Sequence, residues 1–368
     1  MLRCPKAVYP TRVRLTLRFS ALFLAAACAE TSAPLPPPQE LLLVVNTGHA
    51  TLSLVSLTDG GASLVPLGSE VPAGARVAAG RRYAVVPMGR GDSIAIVELA
   101  HRSVERKVAV GSGAGALGVV VVSDSVAYVT LTRLDRILRV NLGTGDTLGI
   151  PVGHFPKDIA LVRGKLFVVN ANLTDCPPPD LLCPVGESWV NVVDPVSNAR
   201  AGGRDSIPIP GPGNASFVTV AGDGRLYIMS AGVPADPQGR LSIVDPVSRL
   251  ELGNFGGFGD GPGQIAADRG ERIFVSSRTE GLMEFNTRTR TVVRGAGNGI
   301  PVQNNAGVAV DSRSQIYAID AGLCSGFANG RARVFRPDLT EVRTISLGLC
   351  SGAAAMALIP AEVTLEAR

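Results

Sequence analysis

The side chains able to do chemistry in this chain of 368 residues are few and scattered. Three histidines, His49, His101 and His154, form neither a His-x-His nor a His-Glu-x-x-His pattern, which leaves zinc, copper or haem catalysis without its usual ligand pairs. No Gly-x-Ser-x-Gly string offers an activated serine. The run GFGDGPG (257–263) has the glycine content of a phosphate loop. It leads into a small-residue strand instead of a helix, so it reads as a plain turn. What remains is a set of polar residues at the ends of apolar runs: His154, Lys157 and Asp158 in one stretch, and Asn46, Asn170, Asn172, Asn214 and Asp320 elsewhere. Amide and carboxylate oxygens of this kind suit a calcium-type cation. They are equally ordinary turn residues.

Six cysteines complete the reactive set: Cys4, Cys28, Cys176, Cys183, Cys324 and Cys350. No two are spaced as Cys-x-x-Cys, which argues against a four-cysteine zinc site. Cys4 and Cys28 belong to an N-terminal segment of different character. Arg3, Lys6, Arg12, Arg14 and Arg18 precede the uncharged run FSALFLAAA (19–27), the order of a secretory signal. The string Leu24-Ala25-Ala26-Ala27-Cys28 resembles the lipobox of bacterial lipoproteins, although Ala25 stands where that motif prefers leucine. The resemblance implies lipid attachment at Cys28; ordinary cleavage after an Ala-x-Ala triplet is the alternative. Removing residues 1–27 takes away five basic and no acidic residues, leaving 30 basic against 31 acidic. A mature charge of −1 gives no electrostatic basis for binding nucleic acid. In an exported protein the four remaining cysteines predict two disulfides, with three pairings open. Cys176–Cys183 within the loop DCPPPDLLC, and Cys324–Cys350 tying the last repeat to the C-terminal strand, are the favoured pairs.

The elements that must carry these residues are repeats. Seven strand-like runs recur: LLLVVN (41–46), RYAVVP (82–87), VAYVTL (126–131), KLFVVN (165–170), RLYIMS (225–230), RIFVSS (272–277) and QIYAID (315–320). They stand 41, 44, 39, 60, 47 and 43 residues apart, the length of a four-stranded propeller blade. A small-residue strand precedes most of them, as in GALGVVVVS (115–123), KDIALV (157–162) and AGVAVD (306–311), and suits the crowded position nearest an axis. The first run lacks such a partner, and GAAAMALI (352–359) has no run after it. Pairing the two predicts an all-β, seven-bladed propeller closed by its C-terminal strand, with no exposed sheet edge. The expected organisation is a signal peptide at 1–27, a lipid-attachment site and Pro-rich linker at 28–40, a propeller at 41–360 and a tail at 361–368.

The runs and the twice-occurring Val-Asp-Pro-Val-Ser (193–197, 244–248) resemble the bacterial YVTN-type (YncE-like) propeller repeats, with features of the NHL repeat, over residues 41–359. That resemblance implies a fold and little chemistry. The 60-residue step places an insertion at 170–188, with shorter ones at 231–239 and 321–330, all on one face. Loops elaborated on a rigid scaffold either bind or cap the channel. His154, Lys157, Asn170, Asn172 and Asn214 are the candidate channel-mouth residues, and His154 is expected to look into the channel. Two readings follow. One is a monomeric, non-catalytic binding or scaffold module, without cofactor, touching the membrane only through its lipid anchor, at the outer membrane or otherwise periplasmic or secreted. Its ligand or protein partner is unspecified. The other is a lactonase-like hydrolase: gluconolactonase-like propellers hold a divalent cation at the channel mouth with Glu, Asp and Asn oxygens. A structural subunit binding through blade edges is a third.

Overall fold

A computed structural model describes residues 38–178, 181–326 and 328–361. The expected signal peptide, the lipidation point Cys28, most of the linker and residues 362–368 lie outside the described residues. Within the described part no helix is long and apolar enough to cross a membrane.

The recurring runs form the second strand of every blade: Gln39–Asn46, Tyr83–Pro87, Val126–Leu131, Lys165–Asn170, Leu226–Ser230, Arg272–Ser277 and Ile316–Asp320. Each is buried on both sides because each blade lies between two others. Leu41, Leu43 and Val45 face blade 2, while Leu42 and Val44 face blade 7. A strand buried on both faces needs a continuous apolar run in place of strict alternation. Seven hydrophobic clusters result, one between each pair of neighbouring blades around the ring.

The innermost strands, from blade 1 to blade 7, are Ser351–Ile359, Ala78–Ala79, Ala116–Ser123, Pro156–Val162, Ala215–Val220, Ile265–Ala267 and Asn305–Val310, and each touches the next around the axis. Small residues are required here. A Cβ on Gly118 would lie 2.6 Å from the Lys157 carbonyl oxygen, and one on Gly307 would lie 2.4 Å from that of Gly352. Ser351–Ile359 runs antiparallel to Gln39–Asn46, so blade 1 is built from both ends of the propeller. The first strand begins at Gln39, inside the stretch expected to be linker.

Blade 4 departs from the plain pattern. Its outer edge is split between Ala199–Arg200 and Ser206–Ile209, both paired with Ser188–Asp194. The expected insertion between its second and third strands folds as a hairpin, Leu173–Cys176 with Leu181–Pro184. Both favoured disulfides are formed. Cys176–Cys183 closes this hairpin, and Cys324–Cys350, with Cα atoms 4.7 Å apart, links the blade 7 insertion to the residue preceding the closing strand. They fit an extracytoplasmic compartment.

Cys324–Cys350 closes a loop with a sequence separation of 26. Loop-closure entropy for that length predicts that a Cys324→Ser/Cys350→Ser variant loses about 3 kcal/mol of stability. Urea unfolding followed by far-ultraviolet circular dichroism checks this; a midpoint equal to that of the parent would contradict it.

Candidate functional site

The innermost strands leave a channel that three side chains divide. Arg76, Phe217 and Gln264 line both the cavity on the insertion-bearing face, about 320 Å³, and a second channel cavity of about 310 Å³. Phe217 lies within the blade 5 inner strand, just past its register shift, and the Arg76 guanidinium stacks on its ring at 3.8 Å. Arg76 donates to the backbone oxygens of Gly74 (3.0 Å) and Ser216 (3.1 Å). Its Nε stands 4.0 Å from Asp158 Oδ2 and has no hydrogen-bond partner. Asp158 in turn accepts from its neighbour Ile159 N (2.9 Å) and, across the blade boundary, from Val218 N (3.0 Å). Burial pushes the Asp158 carboxyl up, opposed by Arg76 and these N–H donors. Gln264 completes the partition. Its amide donates to Ala354 O (2.6 Å) and accepts from Ala354 N (2.9 Å), joining blade 6 to blade 1 past blade 7.

Lys157 sits on the vestibule side of this partition. Its Nζ donates to Asn214 Oδ1 (3.0 Å) and Ser216 Oγ (3.1 Å) on blade 5. Asn214 adopts a left-handed conformation (φ 57°), and its Nδ2 donates to Gly232 O (2.9 Å) in the blade 5 insertion. Asn304 repeats this device in blade 7, with φ 50° and a 3.0 Å bond to Gly322 O. Burial pushes the Lys157 ammonium down to about 7; Arg76 adds to that shift and Asp158 opposes it. Arg278 also lines the vestibule, its Nη1 donating to Asn304 Oδ1 (2.6 Å).

Of the five residues expected at the channel mouth, Lys157 and Asn214 are brought together and the other three are not. His154 is not among the residues lining the vestibule. The Asp135 carboxylate in the preceding blade holds its Nδ1 at 3.1 Å and accepts from Phe155 N at 3.0 Å. Asn170 is buried within blade 4, its Nδ2 donating to Trp189 O and Asn191 Oδ1. Asn172 steadies the insertion through Glu187 O. Among the wider oxygen donors, Asn46 bonds Thr51, Ser53 and Ser351, and Asp320 pairs with Arg331. Of these five oxygen donors only Asn214 lines the vestibule. Among the described residues no group of three His, Cys, Asp or Glu side chains is placed to hold a metal ion.

Arg76, Ser216, Phe217, Gln264 and Arg278 escaped the sequence reading. Arg76 alone left a signal, as an arginine in GARVAAG (74–80), the place where blade 2 must supply its small-residue inner strand.

The sequence matches no protein-family model and no curated protein. Its fold does match solved structures. A functionally unknown protein from Desulfotomaculum acetoxidans DSM 771 superposes with a TM-score of 0.63 at 15% identity, covering 87% of this chain and 99% of that one. Apo AztD from Citrobacter koseri gives 0.55 at 11% identity, over 88% and 99% of the two chains. A streptogramin B lyase gives 0.56 at 10% identity, over 84% and 88%. These likenesses define a β-propeller whose structural relatives have varied functions.

Lys157 makes a pH prediction. Its folded value of about 7 lies below the ordinary 10.5, so between these values the unfolded chain holds more protons than the folded one. Stability therefore rises with pH across that window. Urea midpoints should increase from pH 7 to pH 9, and Lys157→Met should flatten the slope. An unchanged slope in the variant would assign the effect elsewhere.

Proposed function

We propose that this protein is a non-catalytic binding module of the cell envelope, lipid-anchored at Cys28, that engages its partner through the insertion-bearing face. One observation carries the reading. The second-to-third-strand insertions of blades 4, 5 and 7 each expose an apolar side chain, Val185 (59%), Val233 (41%) and Leu323 (59%), on the face that carries these loops. Exposed apolar groups carried by loops of one face point to an interaction surface. Disulfides brace two of these three loops, those of blades 4 and 7, and limit the ordering cost of binding. In this reading residues 29–40 are mostly spacer between the lipid and the ring, and Ala29 after the cysteine favours the outer membrane by resemblance to Gram-negative lipoproteins.

Two measurements test it. Labelled palmitate should enter the parent chain and not the Cys28→Ser variant; incorporation that survives the substitution would rule out lipidation at that cysteine. A photoreactive residue at position 185, 233 or 323 should trap a discrete envelope component in the producing cell. The same residue in place of Val196 or Val247, exposed in turns between third and fourth strands on the opposite face, should not. Equal trapping from both faces would contradict the assignment.

A further inference from the structure

We propose that the vestibule binds the carboxylate group of a small organic acid, with the Lys157 ammonium as its direct contact and Arg278 at the rim. This deepens the reading above, on which it rests, by naming the chemical class that enters the binding face.

Charge carries the first part of the argument. The charged side chains lining the vestibule are Arg76, Lys157 and Arg278, and no Asp or Glu is among them. Arg76 has a counter-charge in Asp158, which lines the second cavity. Lys157 has none: its partners Asn214 and Ser216 are neutral, and no carboxylate lies within ion-pair distance. An ammonium offers three N–H donors, and two are used. The third, with the whole charge, is left to whatever fills the vestibule. A recessed cation without a counter-ion is costly, and an incoming anion relieves that cost.

Shape and wall chemistry narrow the anion. Arg76, Phe217 and Gln264 stand between this cavity and its neighbour, and at about 320 Å³ it lies at the small end of ligand-binding cavities (~300–1,000 Å³). Val45, Ala231, Pro262, Ala306 and Ala353 supply apolar wall. One uncommitted ammonium donor above an apolar lining suits a singly charged carboxylate on a hydrocarbon body. A phosphate calls for a cluster of guanidinium forks or backbone N–H groups. Arg76 is poorly placed to supply such a fork, since each terminal nitrogen already donates to a backbone oxygen and its charge faces Asp158.

The probe is hexanoate, with neutral hexanamide and inorganic phosphate as comparisons, titrated into the full-length chain and followed by ligand-observed NMR. Hexanoate should bind at pH 6 and weaken at least tenfold at pH 9, as the Lys157 ammonium loses its proton near pH 7. The charged groups facing Lys157 are Arg76, Arg278 and Asp158; the guanidiniums keep their charge over this range, and any pH dependence left in Lys157→Met belongs to Asp158. Lys157→Met should lower hexanoate affinity at least tenfold at pH 6 while retaining the parent's circular dichroism. Arg278→Ala, at the rim, should lower it less. Should Lys157→Met fail to fold, the pH series on the parent chain still decides. Absence of hexanoate binding at pH 6, equal binding of hexanamide, affinity unmoved by pH 9 or by Lys157→Met, or preference for phosphate would each overturn the assignment. Trapping from positions 185, 233 and 323 without hexanoate binding would keep the binding face and remove this ligand; hexanoate binding without trapping would do the reverse.

Discussion

Everything in this molecule depends on the antiparallel pairing of Ser351–Ile359 with Gln39–Asn46. No blade has a polar face: each second strand is apolar on both sides, and each cluster of core residues is shared between two blades. Such sheets are stable only in a complete circle, because any gap exposes two apolar surfaces and an open inner strand. The closing strand therefore completes a blade and also seals the boundaries of blade 1 with blades 2 and 7. Polar ties surround it. Ser351 Oγ donates to Asn46 Oδ1 at 2.8 Å, Thr47 N to Cys350 O at 3.0 Å, and Ser312 donates through N and Oγ to the Glu40 carboxylate at 2.8 and 2.7 Å. The Cys324–Cys350 bridge stands at the same junction. Covalent and non-covalent fastening coincide where the two ends of the propeller meet.

Closure also produces the site. Seven inner strands drawn to one axis leave room for very few large side chains, and the chain places Arg76, Phe217 and Gln264 in that space. Each then bonds or stacks across a blade boundary: Arg76 of the blade 2 entry on Phe217 of blade 5, and Gln264 of blade 6 on Ala354 of blade 1. These contacts span the ring, so the same residues that brace the axis also form the vestibule floor. Lys157 lines the vestibule beside this partition. The partition pairs Asp158 with Arg76, and Lys157 is left with the neutral partners Asn214 and Ser216. The electrostatic character of the vestibule follows from what the scaffold needs at its axis.

Much of the fold was legible in the residues because it rests on local signals. The runs at 126–131, 165–170 and 272–277 coincide with strands residue for residue, since strand length and register follow from apolar runs bounded by turn residues. The closing strand was inferred from an orphan on each end, and the two disulfides from loop placement. The site was much less visible. Which residue of a strand faces the axis depends on the rotation of each blade, and periodicity does not report that. His154 was expected at the axis because it precedes an inner strand, yet Asp135 of the neighbouring blade captures it. Asp135 is 19 residues away, and nothing in the sequence joins them. Lys157 was recognised but its partners were not, because Asn214 and Ser216 come from another blade, 57 and 59 residues further on. Contacts made by ring geometry leave no local mark.

The most direct test of the account is native-state hydrogen exchange of the closing strand. If the ring is sealed by Ser351–Ile359, its paired backbone amides, with those of Leu41–Val44, exchange only through global unfolding. Their opening free energies then equal those of the buried second strands in blades 3 to 6. Exchange of 351–359 at a distinctly lower opening free energy, with the other blades still protected, would show a ring that opens without unfolding and contradict the claim that closure sustains the fold.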